Sequence, residues 1–253
     1  MVNILANPAR FLRLAGAVLP WCWAVAAVSG GIGLWLALFV SPADYQQGDS
    51  VRIMYIHVPA AWMALGAYTL VAAFSAVALV WKHPLAHIVA ASAVPLGAGF
   101  TAICLVTGML WGKTSWGTWW VWDARLTSVL VLFFLYLGLI ALRGAFDDSE
   151  RGNRAAALLA LVGFVNIPII KFSVDWWATL HQPASVLRVG GPAIHPSMLW
   201  PLLAMAAAFM AYFAALLLLS VRAEIAGRKL QALLIAAGRD EQGTPAELRG
   251  QAR

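Results

Sequence analysis

The sequence predicts an all-α, polytopic membrane protein of six transmembrane helices with both termini in the cytoplasm. Three observations carry this. Of its 253 residues 62% are hydrophobic and only 11% charged, with a mean hydropathy of +0.79; a soluble domain carries about 25% charged residues. Apolar runs recur six times, each close to the about 20 residues needed to cross a bilayer as a helix. The lysines and arginines fall unequally on the alternating loops. Twelve lie on the segments before the first run, after the second, after the fourth and after the sixth, against five on the other three loops. The richer side is the cytoplasmic one.

The first run, Leu14 to about Val40, follows Arg10 and Arg13. It continues past Gly30 and Gly31, beyond the length of a cleaved signal, so a retained anchor is expected. The polar stretch 41–52 separates it from the second run, about 59–81. The third, about 88–111, contains Pro95, Gly97 and Gly99 and predicts a kink repaired by neighbouring helices. The fourth is 17 residues, Leu126 to Leu142, between Arg125 and Arg143, which are expected to snorkel. The fifth, about 155–170, is interrupted by Asn166 and Pro168 and is the weakest span. The sixth, about 198–221, is uniform. Residues 1–222 form one membrane domain, and 223–253 a cytoplasmic tail, partly disordered, that opens with a short amphipathic stretch.

The net charge of +6 is explained by loop asymmetry rather than by nucleic acid. Cys22 and Cys104 lie far apart inside apolar runs and read as small buried hydrophobes. No GxxxxGK[ST] is present, so the chain itself binds no nucleotide. Conduction of a solute through the spans finds no support, since no Asp, Glu, Lys or Arg lies in the middle of one.

Loops 41–58, 112–125 and 171–197 share the outer face. The middle one begins at a tryptophan-dense segment: Trp111, Trp116, Trp119, Trp120 and Trp122 fall within twelve residues. An interfacial belt scatters its aromatics over many helix ends. A concentration in one segment suits a platform for a large flat apolar ligand, because indoles offer broad faces and an N–H at the wet edge. Asp123 reads as a cap for the following helix or an ion-pair partner of Arg125. His83 and His87 fall on the cytoplasmic side and read as loop residues. His57, at the mouth of the second helix, and His181, in the third outer loop, flank the tryptophan segment. His195 reads as structural. Two neutral imidazoles beside an apolar aromatic shelf are what an iron in a flat macrocycle requires, an axial ligand from each side and an apolar pocket.

The stretch Trp116-Gly-Thr-Trp119-Trp120-Val-Trp122-Asp123-Ala-Arg125 resembles the WWD signature of the haem-handling membrane proteins of cytochrome c maturation. With Tyr55-Ile-His57-Val-Pro-Ala-Ala-Trp62, Leu180-His181-Gln-Pro-Ala-Ser and His195-Pro-Ser-Met-Leu-Trp-Pro, the chain most resembles the CcmC family from the first span through the sixth. The larger WWD relatives have more spans and more histidines. The resemblance implies a bacterial inner-membrane protein that binds haem b non-covalently on the periplasmic face, with His57 and His181 as its axial ligands. Trp116, Trp119, Trp120, Trp122 and Asp123 would form the haem-binding segment, with Arg125 beside it. It implies delivery of haem to the chaperone CcmE, and association with the ATP-binding-cassette pair CcmA and CcmB and the small membrane protein CcmD. A delivery protein is expected rather than a free-standing enzyme, with no catalytic residue; the alternative is a haem or solute transporter subunit of such a complex. Arg52, Lys113, Arg125 and Arg188 are the outer-face candidates for the haem propionates.

Overall fold

In the computed structural model, residues 7–243 are described, apart from 184, 187 and 189 and the side chains of 238–243. Among the described residues every regular element is helical and there is no strand; the polar stretch after the first helix holds an isolated bridge between Asp44 and Gly48. The helices are α1 (Pro8–Trp35), α2 (Met54–Trp81), α3 (Ala86–Trp116), α4 (Ala124–Gly144), α5 (Ser149–Gly163), α6 (Asn166–Trp176) and α7 (Pro196–Gly243). Counting α5 and α6 as one broken span, six are long and apolar enough to cross a membrane.

Local chemistry sets most of the boundaries. Asn7 accepts a hydrogen bond from the Ala9 amide at 2.9 Å and Pro8 takes the first helical position, so α1 starts earlier than its apolar run. Its far end loosens into one π-helical turn, Leu36–Val40. A 3₁₀ turn, Asp49–Ile53, leads directly into α2. Pro95 stays inside α3 without ending it. That helix runs five residues past the expected end, because nothing before Gly117 stops it. Gly117, at φ 76°, supplies the left-handed residue that does.

Two expectations are corrected. His87 is not a loop residue but lies in the first turn of α3. The fifth span is two helices, α5 and α6, parted at Phe164 and Val165. Pro168 is accommodated in the first turn of α6, where its missing N–H costs nothing, and Asn166 donates to the Ser128 carbonyl at 2.9 Å. The carboxyl-terminal helix α7 continues well beyond the sixth apolar run, to Gly243.

The core is formed by α2, α3, α4 and α5, with α7 alongside and α1 packed chiefly against α7. Its centre is a pair of buried tyrosines, Tyr68 and Tyr136, edge to face at 5.2 Å. Tyr136 donates to the Ala64 carbonyl at 2.8 Å. Gly97 of α3 and Gly163 of α5 leave the room these rings occupy; a Cβ at either would collide with a tyrosine. Close approach through small residues is how helices associate where lipid removes the hydrophobic drive.

Gly97→Val is therefore expected to overpack the centre by about 1–3 kcal/mol, seen as a lower thermal midpoint of the detergent-purified protein. An unchanged midpoint would contradict this packing.

Candidate functional site

At one end of the bundle, four elements converge: the start of α2, the end of α3, the start of α4 and the loop between α6 and α7. His57 sits in the first turn of α2, 8% exposed. Its Nδ1 lies 3.1 Å from the Cys104 carbonyl and 3.1 Å from Thr107 Oγ1, both on α3. A carbonyl only accepts, so Nδ1 carries the proton and Nε2 keeps its lone pair. Thr107 can accept as well, because its own hydroxyl donates back to the Ile103 carbonyl at 2.6 Å. The ring fits here because position 108 is glycine; a Cβ there would stand 3.0 Å from His57 Cε1.

His181 approaches from the third loop. Its backbone amide donates to Thr179 Oγ1 at 2.8 Å, and its Nδ1 faces the Gln182 carbonyl at 3.5 Å, a long contact that favours the same tautomer. The imidazoles of His57 and His181 stand 6.3 Å apart, centre to centre, with planes 30° apart. Trp111 packs edge to face on His57 at 5.6 Å, and Trp116 does the same to His181 at 6.0 Å. Trp111 is fixed in turn by donating Nε1–H to Gln47 Oε1 at 2.6 Å. Burial, and then the positive charge of Arg125, push the His181 pKa below its ordinary value. Its ring is held neutral where a free histidine would begin to protonate.

The expected site residues are thus brought together unequally. His57, His181 and Trp116 meet directly. Trp120 and Trp122 contact each other at 5.5 Å, and Trp122 and Trp119 stand 75% and 53% exposed. Lys113 reaches over the Trp119 ring at 6.0 Å and donates to the Gly117 carbonyl at 3.0 Å. Asp123 caps α4, its Oδ1 accepting from the Leu126 amide at 2.7 Å. The ion pair with Arg125 is not formed among the described residues. Arg125 instead turns inward, donating to Ser173 Oγ at 3.0 Å and the Lys171 carbonyl at 3.3 Å, rather than snorkelling. Asp123 Oδ2 and Trp120 Nε1 are both buried with no partner, an unmet acceptor and an unmet donor on one short segment. Buried polar atoms of this kind require a partner. His195 bonds Ser197 at the start of α7 at 2.8 Å.

The sequence reading missed Thr107, Gly108, Gln47 and the Cys104 carbonyl. Only Gly108, small and one turn after Cys104, left a trace. The carbonyl leaves none, since every residue has one.

Chemically, the arrangement offers two nitrogen lone pairs on neutral rings, enclosed by indoles. Metal–imidazole bonds of about 2 Å on each side of one ion put the ring centres about 6 Å apart, close to the separation found. Among the described residues, no group of three or more His, Cys, Asp or Glu gathers as a bare-metal site.

Residues 1–236 match the family described as heme exporter protein C. The chain belongs to the heme exporter protein C family. A heme exporter protein C of Bradyrhizobium diazoefficiens is 54% identical over 229 residues, covering 90% of this chain and 87% of the relative. That of Escherichia coli K12 is 49% identical over 198 residues, covering 78% and 80%. A ccmC-like cytochrome c biosynthesis protein of Marchantia polymorpha mitochondria is 47% identical over 197 residues, covering 78% and 82%. The heme exporter protein C match spans all the helices that build the paired-histidine site.

Arg125→Gln removes the cation that depresses His181 and is expected to raise its pKa toward the ordinary value of about 6.5, measured by NMR titration of the ligand-free protein. A pKa unmoved or lowered would contradict the electrostatic assignment. Thr107→Val, which removes one partner of His57 Nδ1, is expected to weaken ligand binding at the site about tenfold in a haem titration. Unchanged affinity would leave the Cys104 carbonyl as the sole tether.

Proposed function

We propose that this protein binds haem b non-covalently at the periplasmic surface of the bacterial inner membrane and delivers it to the chaperone CcmE during cytochrome c maturation. His57 and His181 are the axial ligands. The observation that carries the reading is the imidazole pair, 6.3 Å apart, with each Nδ1 turned to a carbonyl and each Nε2 left free. Ligating histidines generally have the other ring nitrogen satisfied in this way. The family membership and the printed name of the relatives support the same cargo.

The residues divide the work by their rigidity. His57 is held by two helices of the core; His181 rides on a loop. Filling both axial positions excludes dioxygen from the iron. Trp116, Trp119, Trp120 and Trp122 present apolar faces to the macrocycle, and the exposed Trp119 and Trp122 leave an edge for the acceptor. Trp120 Nε1–H, buried without a partner, gains an acceptor in a haem propionate when the site fills. Arg52 is already charge-paired with Asp49 at 3.0 Å and bonded to the carbonyls of Ala37 and Leu38; Lys113 and Arg125, bonded only to neutral groups, and Arg188 are the candidates for the propionates. Release follows most simply by loss of His181, the ligand on the less constrained element. The ATP hydrolysis that drives the cycle belongs to CcmA, working with CcmB and CcmD. In this arrangement both termini are cytoplasmic, as the loop charges require.

Detergent-purified protein is expected to carry haem, and His57→Ala and His181→Ala each to lose it while keeping helical content and elution volume. Unaltered haem content in both folded variants would remove the ligand assignment.

A further inference from the structure

The fifth span is jointed, and its outer half leads to His181. Between α5 and α6, Val165 donates to the Val162 carbonyl at 3.3 Å and Ile167 to the Phe164 carbonyl at 3.0 Å. These are three-residue bonds where a continuous α-helix makes four-residue ones. Where that ladder is interrupted a helix can bend, so continuity with α5 does not fix the direction of α6. The eleven residues of α6 take their direction from what they pack on, which is chiefly α4.

Asn166, Ile170 and Ser173 stand at i, i+4 and i+7 and share one face of α6. Ile170, in the middle, is buried in the core. Asn166 Nδ2, beside the joint, donates to the Ser128 carbonyl at 2.9 Å. Ser173 Oγ, fully buried near the far end of α6, accepts from Arg125 Nε at 3.0 Å. It spends its own proton on the Ile170 carbonyl at 2.8 Å, which leaves its lone pairs to the guanidinium. Arg125 Nη2 adds the Lys171 carbonyl at 3.3 Å. Among the described residues no other hydrogen bond joins α6 to another helix. On its outer side Phe172 and Trp176 are exposed and stack on each other.

Both partners, Arg125 and Ser128, lie at the start of α4, directly after the tryptophan segment and under the Asp123 cap. Arg125 stands at the edge of its span, where snorkelling to water would satisfy it. Its turn toward Ser173 fixes α6 rather than answering a need of its own. From Ser173 the chain reaches His181 through an extended Trp177 and through Thr179, whose Oγ1 accepts from the His181 amide. The α4–α6 contact therefore sets the tryptophan segment and the His181 loop relative to one another.

We propose that Asn166 and Ser173 are positioning residues for His181: by holding α6 against the start of α4 they place the second imidazole opposite His57. This rests on His181 being an axial ligand of haem.

The test uses the full chain in detergent micelles and compares Ser173→Ala and Asn166→Leu with Lys171→Gln, a change to an exposed side chain on the same helix. In haem-free protein, hydrogen exchange of amides 171–183 is expected to quicken about three- to tenfold in the first two, the worth of one interhelical hydrogen bond in a membrane. Exchange around His57 and Cys104 stays unchanged, and Lys171→Gln matches the unsubstituted protein. In ferric, haem-loaded protein, both variants are expected to convert part of the six-coordinate low-spin spectrum to a five-coordinate high-spin one. Added imidazole restores it by taking the vacated axial position. Asn166→Leu covers the case in which Ser173→Ala does not fold. Exchange unchanged at 171–183 in both variants, or quickened equally in every helix, would overturn the proposal. So would faster exchange with an intact low-spin spectrum. A low-spin spectrum that survives His181→Ala marks failure of the axial assignment instead, a result separable from the α6 contacts, which haem-free exchange reads without it.

Discussion

The hydrogen bond from the His57 ring to the Cys104 carbonyl is the constraint on which the site depends. It joins α2 to α3, selects the tautomer and leaves one nitrogen of a buried imidazole free to bind. A backbone carbonyl inside a helix is an unusual partner, because it already accepts from the next turn. It is reachable because Gly108 presents no side chain at that turn. The packing of α2 on α3 is the most extensive helix pairing in the molecule, so the ring inherits the rigidity of the core. His181 has no comparable anchorage: its partners are its neighbours in a loop. The pair thus joins one imidazole anchored in the core and one carried by a loop, a division that, in the proposed function, suits cargo that must be both held and released.

The same packing explains how a bundle with few polar contacts remains specific. Glycines at 97 and 163 admit the tyrosines at 68 and 136, and glycine 152 admits the polar contact between Arg143 and Asn153. Each is a point where a small residue lets a larger group from a neighbouring helix enter. In a membrane, where association depends on close fit more than on hydrophobicity, these positions fix register. Register in turn places His57 beside Cys104 and Thr107 at one end, and His87 beside Arg143 at the other.

Much of this was legible in the sequence. The helical class and the six spans follow from composition and the spacing of apolar runs, which depend only on bilayer thickness. The cap at Asp123 follows from its place before a long apolar helix. What could not be read involves contacts between chemically anonymous groups. The Cys104 carbonyl has no sequence signature, and neither does the turn of Arg125 inward to Ser173, since Ser173 is distant in the chain. The break at Phe164 was only hinted at by Asn166 and Pro168, because proline in a first turn and proline within a helix look alike until the start of α6 is known. The helical course of Trp111 to Trp116 was obscured by Gly112, a residue that suggests a turn but here lies within α3 beside the Trp116 ring.

The central claim is that two histidine nitrogens bind one iron. Electron–nuclear double resonance on ferric, haem-loaded protein grown with ¹⁵N-histidine addresses it directly. The account predicts couplings from two axial histidine nitrogens, reduced to one by replacing either His57 or His181. The absence of any axial histidine coupling, or an unchanged pair after both are replaced, would contradict it.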